Sequence, residues 1–240
     1  MRKLTSIAIR SLMAVLLFCA YGFTQVPELT PEDRTAIQGL VTGYARALSA
    51  CNADEYADLF APETGYFASG IRGKVVGRER LIALLQSERQ CATPPATAPA
   101  ARPGGGTGPA VTLEVTSSGV RGIADLGAAG QYQDEYVKTP KGWKFRARTV
   151  LTPAEKTAGL DAAEMLAIQN LAGPDLGDYY VPDANGVKRL RTSGVAIAVT
   201  GGAITGHAYL KNGGYYEDVY EKTGPGKWTI KSRKLVPATP

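Results

Sequence analysis

Histidine is almost absent: His207 is the only one in 240 residues. A lone imidazole cannot build a paired-histidine acid–base site or a His-rich metal cluster, and no other metal-ligand set is evident. Cysteine is scarce as well. Of the three, Cys19 lies in the opening apolar run, which leaves Cys51 and Cys91, too far apart for a CxxC redox or metal motif. No run of Lys and Arg interleaved with aromatics is present, so the composition gives no nucleic-acid surface. Nor is there a membrane-length apolar stretch: residues 11–23 fall short of the ~20 residues a spanning helix needs.

What that short run does fit is a secretory signal. Arg2, Lys3 and Arg10 supply the positive start, and small Ala20 and Gly22 suit a peptidase site. Bulky Phe18 argues against a lipoprotein reading centred on Cys19. Residues 1–24 are therefore expected to be cleaved, with a periplasmic or secreted product and no integral membrane span after processing. Three of the 27 basic residues leave with the signal, so 24 remain against 22 acids and the net charge falls from +5 to +2. The remaining excess sits late, at Lys188, Arg189, Arg191, Lys227, Lys231, Arg233 and Lys234, where it reads first as a solvated face and second as an attraction for an anionic ligand or surface. In an oxidising compartment Cys51 and Cys91 are expected to join, closing a loop of about 40 residues.

The mature chain begins helical. Thr30-Pro31-Glu32-Asp33 is a helix start, with a cap, a first-turn Pro and acids at the positive end of the dipole. Ile37, Leu40, Val41, Tyr44 and Leu48 follow at helical spacing. Asn52 to Glu55 resembles a capping box for a short second helix that Pro62 ends. A brief strand is expected at 65–68, and a third helix at 78–88 with Leu81, Ile82, Leu84 and Leu85 inward. Residues 92–110 are Pro-, Gly- and Ala-rich with no large apolar side chain, and read as a flexible insertion. Thereafter the period switches to two, with a hairpin of 130–139 and 143–151.

Residues 111–151 then recur, with one inserted residue, as 195–236. Tyr132, Asp134, Tyr136, Lys138, Trp143 and Arg148 align with Tyr216, Asp218, Tyr220, Lys222, Trp228 and Arg233. Leu-Thr-Pro echoes ahead of each copy, at 29–31 and 151–153. The second copy has one helix, expected over 154–172, and no equivalent of the second and third. A sheet with one apolar face must bury it, so residues 153–240 are expected to pack on the unit at 26–152, or to offer a homodimer surface.

The order of these parts resembles the SnoaL-like branch of the nuclear transport factor 2-like superfamily. It comprises a capped helix with an inward Tyr, Ala-Asp-Leu-Phe-Ala-Pro at 57–62, a short strand, a helix, then Gly-x-Tyr-x-Asp-x-Tyr and Gly-Trp-Lys-Phe-x-x-Arg. The resemblance implies an α+β fold: a curved antiparallel sheet wrapped around N-terminal helices, a cone with an internal pocket, here with an additional repeated strand layer. It implies a small hydrophobic or aromatic molecule as partner, no cofactor, and lyase or isomerase chemistry such as dehydration, cyclisation or C–C cleavage. Family members that only bind leave a non-catalytic binding or interaction module as the alternative, ranked just behind the enzyme. Paired-histidine chemistry does not transfer, and the strand 65–68 lacks the carboxylate that isomerase-like members place there.

Strand alternation supplies the candidates. Tyr132, Asp134 and Tyr136 share a face; if it looks into the cone, Asp134 serves as general base and the tyrosines as donors to a developing oxyanion. Tyr44, Tyr66, Arg148 and Trp143 are expected to line the pocket. The competing structural reading pairs Asp134 with a strand Arg or Lys and leaves the tyrosines as packing. The recurrence of the same set in the incomplete copy favours that simpler role.

Overall fold

The structure, a computed structural model, describes residues 28–89 and 108–238. The expected signal, nearly all of the Pro/Gly-rich insertion, and Cys91 with its expected bond to Cys51 lie outside them.

Helix α1 (Pro31–Ala50) begins where Thr30 Oγ1 accepts from the Asp33 amide at 3.1 Å, while the Asp33 carboxylate accepts from the Thr30 amide at 3.4 Å. This reciprocal capping satisfies donors that the first turn would otherwise orphan. Its stripe of Ile37, Leu40, Val41, Tyr44 and Ala47 is buried. Asn52 caps α2 (Ala53–Asp58) through the Glu55 amide at 3.1 Å. Helix α3 (Arg78–Arg89) buries Leu81, Leu84 and Leu85, with Ile82 half-buried.

Against these helices lies a curved mixed sheet. Its strands are β1 (Tyr66–Ser69), β2 (Gly73–Val76), β3 (Val111–Thr116), β4 (Gly119–Asp125), β5 (Gln131–Thr139), β6 (Gly142–Leu151), β7 (Asp178–Pro182) and β8 (Lys188–Ser193), in the order β3-β4-β5-β6-β1-β2-β8-β7. Pairing is antiparallel from β3 to β6 but parallel between β6 and β1 and between β2 and β8. A second, antiparallel sheet contains β9 (Val195–Thr200), β10 (Ala203–Tyr209), β11 (Tyr215–Gly224) and β12 (Lys227–Val236), in the order β12-β11-β10-β9.

Besides these two parallel joins in a sheet expected to be antiparallel, two features depart from the sequence reading. The helix expected over 154–172 is two helices, α4 (Pro153–Thr157) and α5 (Ala162–Leu171). Gly159 turns left-handed (φ 78°) between them, and Asp161 recaps the chain by accepting from the Glu164 amide at 2.8 Å. The hairpin β7–β8 is also additional, and it extends the first sheet past β2. Gly73 permits this join: at φ 64°, a Cβ there would stand 1.9 Å from the Ser193 carbonyl oxygen.

The two parts are therefore built into each other. Helices α1–α3 cover one face of the first sheet over a core that includes Phe60, Phe67 and Phe145. On the other face, Tyr66, Ala68 and Thr149 meet Ala162 and Met165 of α5. A second core joins Leu151 to Met165, Ile168, Ile197 and Tyr220. Backbone bonds cross as well, among them Ile197 N–H to the Gly70 carbonyl at 2.6 Å.

Candidate functional site

On β5, alternation carries Tyr132, Asp134 and Tyr136 to the concave, helix-facing side. Strand β6 reaches the same side by a bulge. Tyr136 pairs with Phe145 and Glu135 with Ala147, so Arg146 is an extra residue. Phe145 and Arg148, three apart, consequently face inward together. Arg148 Nε donates to Asp134 Oδ1 at 2.9 Å and its Nη2 to Oδ2 at 2.7 Å. Tyr136 Oη donates to the same Oδ2 at 2.8 Å. Both charged side chains are 0% exposed. Gly122, opposite Asp134, leaves room for this: a Cβ there would meet the Tyr136 ring at 2.8 Å.

Aromatic rings occupy the rest of the hollow. The Arg148 guanidinium carbon lies 4.2 Å from the Tyr44 ring centroid, 4.1 Å from Tyr132 and 4.2 Å from Phe145. Its Nη1 is buried without a hydrogen-bond partner among the described residues, and these π faces are what surround it. Tyr44 also packs on Tyr56 (5.3 Å) and Tyr132 (5.6 Å), and Phe145 on Phe60 (5.4 Å) and Tyr136 (5.5 Å). Burial first, and then the Asp134 charge, push the Tyr136 hydroxyl pKa far upward. For Arg148, burial favours the neutral form, but the Asp134 charge and hydrogen bonds outweigh it and the pKa rises.

Chemically, this is a closed ion pair. A general base needs a lone pair that substrate can reach, whereas the oxygens of Asp134 already accept three short bonds in a site with no exposure. Tyr136, expected as an oxyanion donor, spends its proton on Asp134. Tyr132 and Tyr44 pack on the guanidinium. Two other expected pocket residues are elsewhere. Tyr66 points to the opposite face of the sheet, beneath Lys74 Nζ at 4.6 Å, because period two fixes only which residues share a side. Trp143 sits at the rim, donating from its indole to Asp33 Oδ1 at 2.8 Å. Lys138 Nζ reaches that oxygen at 2.8 Å, and these two bonds hold the Asp33 pKa down to about 2.

The second sheet repeats the geometry. Arg233 Nε and Nη2 donate to Asp218 at 2.7 Å each, Tyr220 Oη donates to Asp218 at 3.0 Å, and Arg233 stacks 4.3 Å from the Tyr216 ring centroid. A matching bulge between Tyr220 and Val219 leaves Lys231 extra. The rim contact recurs too, with Trp228 and Lys222 both on Glu164 in the first turn of α5. Fewer rings cover this copy: the Arg233 side chain is 29% exposed. His207 is exposed, its ring 4.8 Å from that of Tyr215. Among the described residues no group of three or more His, Cys, Asp or Glu is placed to hold a metal, and no helix is long and apolar enough to cross a membrane.

Helices packed against a curved mixed sheet, with a second antiparallel sheet behind it, make this an α+β fold. A profile described as the SnoaL-like domain matches residues 30–149, and the chain belongs to that family. Solved structures with similarity include an NTF2-like protein with a cystatin-like fold from Novosphingobium aromaticivorans (16% identity, 65% of this chain, 97% of that one, TM-score 0.36). Others are a putative aromatic ring hydroxylase from the same organism (22%, 52% and 94%, 0.35) and a protein of unknown function from Mycobacterium tuberculosis (16%, 57% and 87%, 0.37). No curated protein matches.

Proposed function

We propose that this chain is an exported SnoaL-like module that binds a small molecule without transforming it, the interior of its cone having become a packed core. The observation that carries this reading is the Asp134–Arg148–Tyr136 cluster, enclosed by rings in the first sheet and repeated in the second, where no complete helical layer exists to make a reaction chamber. A constellation needed for chemistry has no reason to recur there, whereas one that fastens two strands does. Export rests on the signal-like residues 1–24, and the Cys51–Cys91 bond belongs to the same oxidising setting.

The catalytic alternative, a cofactor-independent lyase or isomerase acting on a small oxygenated or aromatic molecule, keeps support from family membership. It requires Arg148 to release Asp134. Asp134→Asn would then retain the fold and any ligand while turnover falls at least about a hundredfold. Native mass spectrometry of protein recovered from the periplasm or medium tests the binding reading. Expected are a mass lacking residues 1–24, a deficit of two hydrogens, and a ligand that stays chemically unchanged on prolonged incubation. Retention of the signal, or conversion of the ligand, would contradict it.

A further inference from the structure

A cleft of about 300 Å³ lies between the family-matched unit and the C-terminal part, outside the cone. Lys74 of β2, Arg80 of α3, Gln169 of α5, Leu176, Ser193 and Gly194 line it. Its volume is at the lower end of small-molecule sites, about 300–1,000 Å³. Two features of its polar groups stand out. Lys74 is half-buried over the Tyr66 ring and makes no ion pair with any described residue, and burial pulls its pKa down. Arg80 uses Nη2 on both Asp178 and Ser193, while its Nε is buried without a hydrogen-bond partner among the described residues. Counting Lys74, Arg80 and Asp178 leaves one positive charge uncompensated. A half-buried ammonium without an ion-pair partner, lining the same cleft as a guanidinium, is a place where an anion replaces lost hydration.

We infer that this cleft is a binding site for a small organic carboxylate, whose head group would neutralise Lys74 beside Arg80 and whose body would lie against Leu176. A monoanion matches the single surplus charge. A phosphate dianion would leave excess negative charge beside Asp178. Gln169 shapes the wall without competing for the ligand, since its amide is committed to the Val195 backbone at 2.8 and 3.2 Å. The inference rests on the binding reading and deepens it by locating the ligand at the junction. Sequence gave little warning, because Lys74 in a Gly-Lys-Val-Val strand looks like an ordinary exposed lysine.

Titration of the purified exported protein with sodium benzoate, followed in amide NMR spectra, tests it. Expected are saturable shifts at Lys74, Ser193 and Gly194 with a Kd at or below about 1 mM. Affinity should fall about tenfold in Lys74→Met, hold within about threefold in Lys74→Arg, and weaken with added salt. Absence of saturable shifts, an unaltered Kd in Lys74→Met, or equal affinity for inorganic phosphate would overturn the assignment. Shifts centred instead on Tyr132 and Asp134 would also overturn it, while leaving the binding reading standing.

Discussion

At the scale of single residues, the cone is organised around one guanidinium. Arg148 is a charge with 0% exposure; among the described residues Asp134 neutralises it and the ring faces of Tyr44, Tyr132 and Phe145 surround it, while Tyr136 donates to Asp134. Removing one member of such a pair strands the other. Arg148→Ala is therefore expected to destabilise the fold by about 3–5 kcal/mol, and Tyr136→Phe by about 1–2 kcal/mol, in equilibrium urea unfolding. Arg233→Ala should have a smaller effect than Arg148→Ala because water already reaches Arg233. Equal losses at the two sites would show that burial is not what sets the cost. The alignment of the two Tyr-x-Asp-x-Tyr sets was readable from sequence, as was a pairing of Asp134 with a strand Arg. The bulge at Arg146 was not. Strand periodicity assigns Phe145 and Arg148 to opposite faces, and only the observed register shows them together.

Among elements, the best signalled were those with local chemistry. Thr30 and Thr152 each open a helix with a capping box, because the bonds involved span three residues and need no tertiary context. Less visible was the break at Gly159, where the apolar pattern runs through an interruption that only the Asp161 cap and a left-handed turn reveal. Asp33 ties α1 to the β5–β6 hairpin and gives that joint a pH signature. Its carboxyl loses its proton near 3.8 in the unfolded chain but at about 2 in the folded one. The folded state is thus favoured fully above pH 3.8, and that advantage is lost as pH falls through 2. Acid unfolding of wild type and Asp33→Asn should differ above pH 4 and converge by pH 2. A pH-independent difference would remove the charged bonds from Lys138 and Trp143 as its source.

For the whole molecule, the decisive feature is the seam between the family-matched unit and residues 153–240. The sequence showed that the second copy lacks equivalents of the second and third helices and must pack somewhere. It did not show β7–β8 joining the first sheet, because a parallel pair such as Gly73 with Ser193 links segments 120 residues apart without a local turn signal. Removing 153–240 would uncover the β2 edge, Tyr66 and Leu151. The truncated chain is expected to aggregate or self-associate in sedimentation velocity. A soluble monomer with unchanged circular dichroism would contradict this account of the seam. Gly73→Ala should weaken the same joint more gently, lowering stability by about 1–3 kcal/mol through its strained φ and its clash with Ser193.

Whether the filled cone is a fixture or a disguised active site can be decided by urea unfolding of Asp134→Asn. A reactive carboxylate held in a pocket for chemistry is commonly neutral or costly to stability, so its replacement leaves the folded state unharmed. A carboxylate that neutralises a buried arginine is not replaceable in that way, and a loss of about 3–5 kcal/mol is expected. Unchanged or increased stability in Asp134→Asn would contradict the proposal that this cluster only holds the fold together.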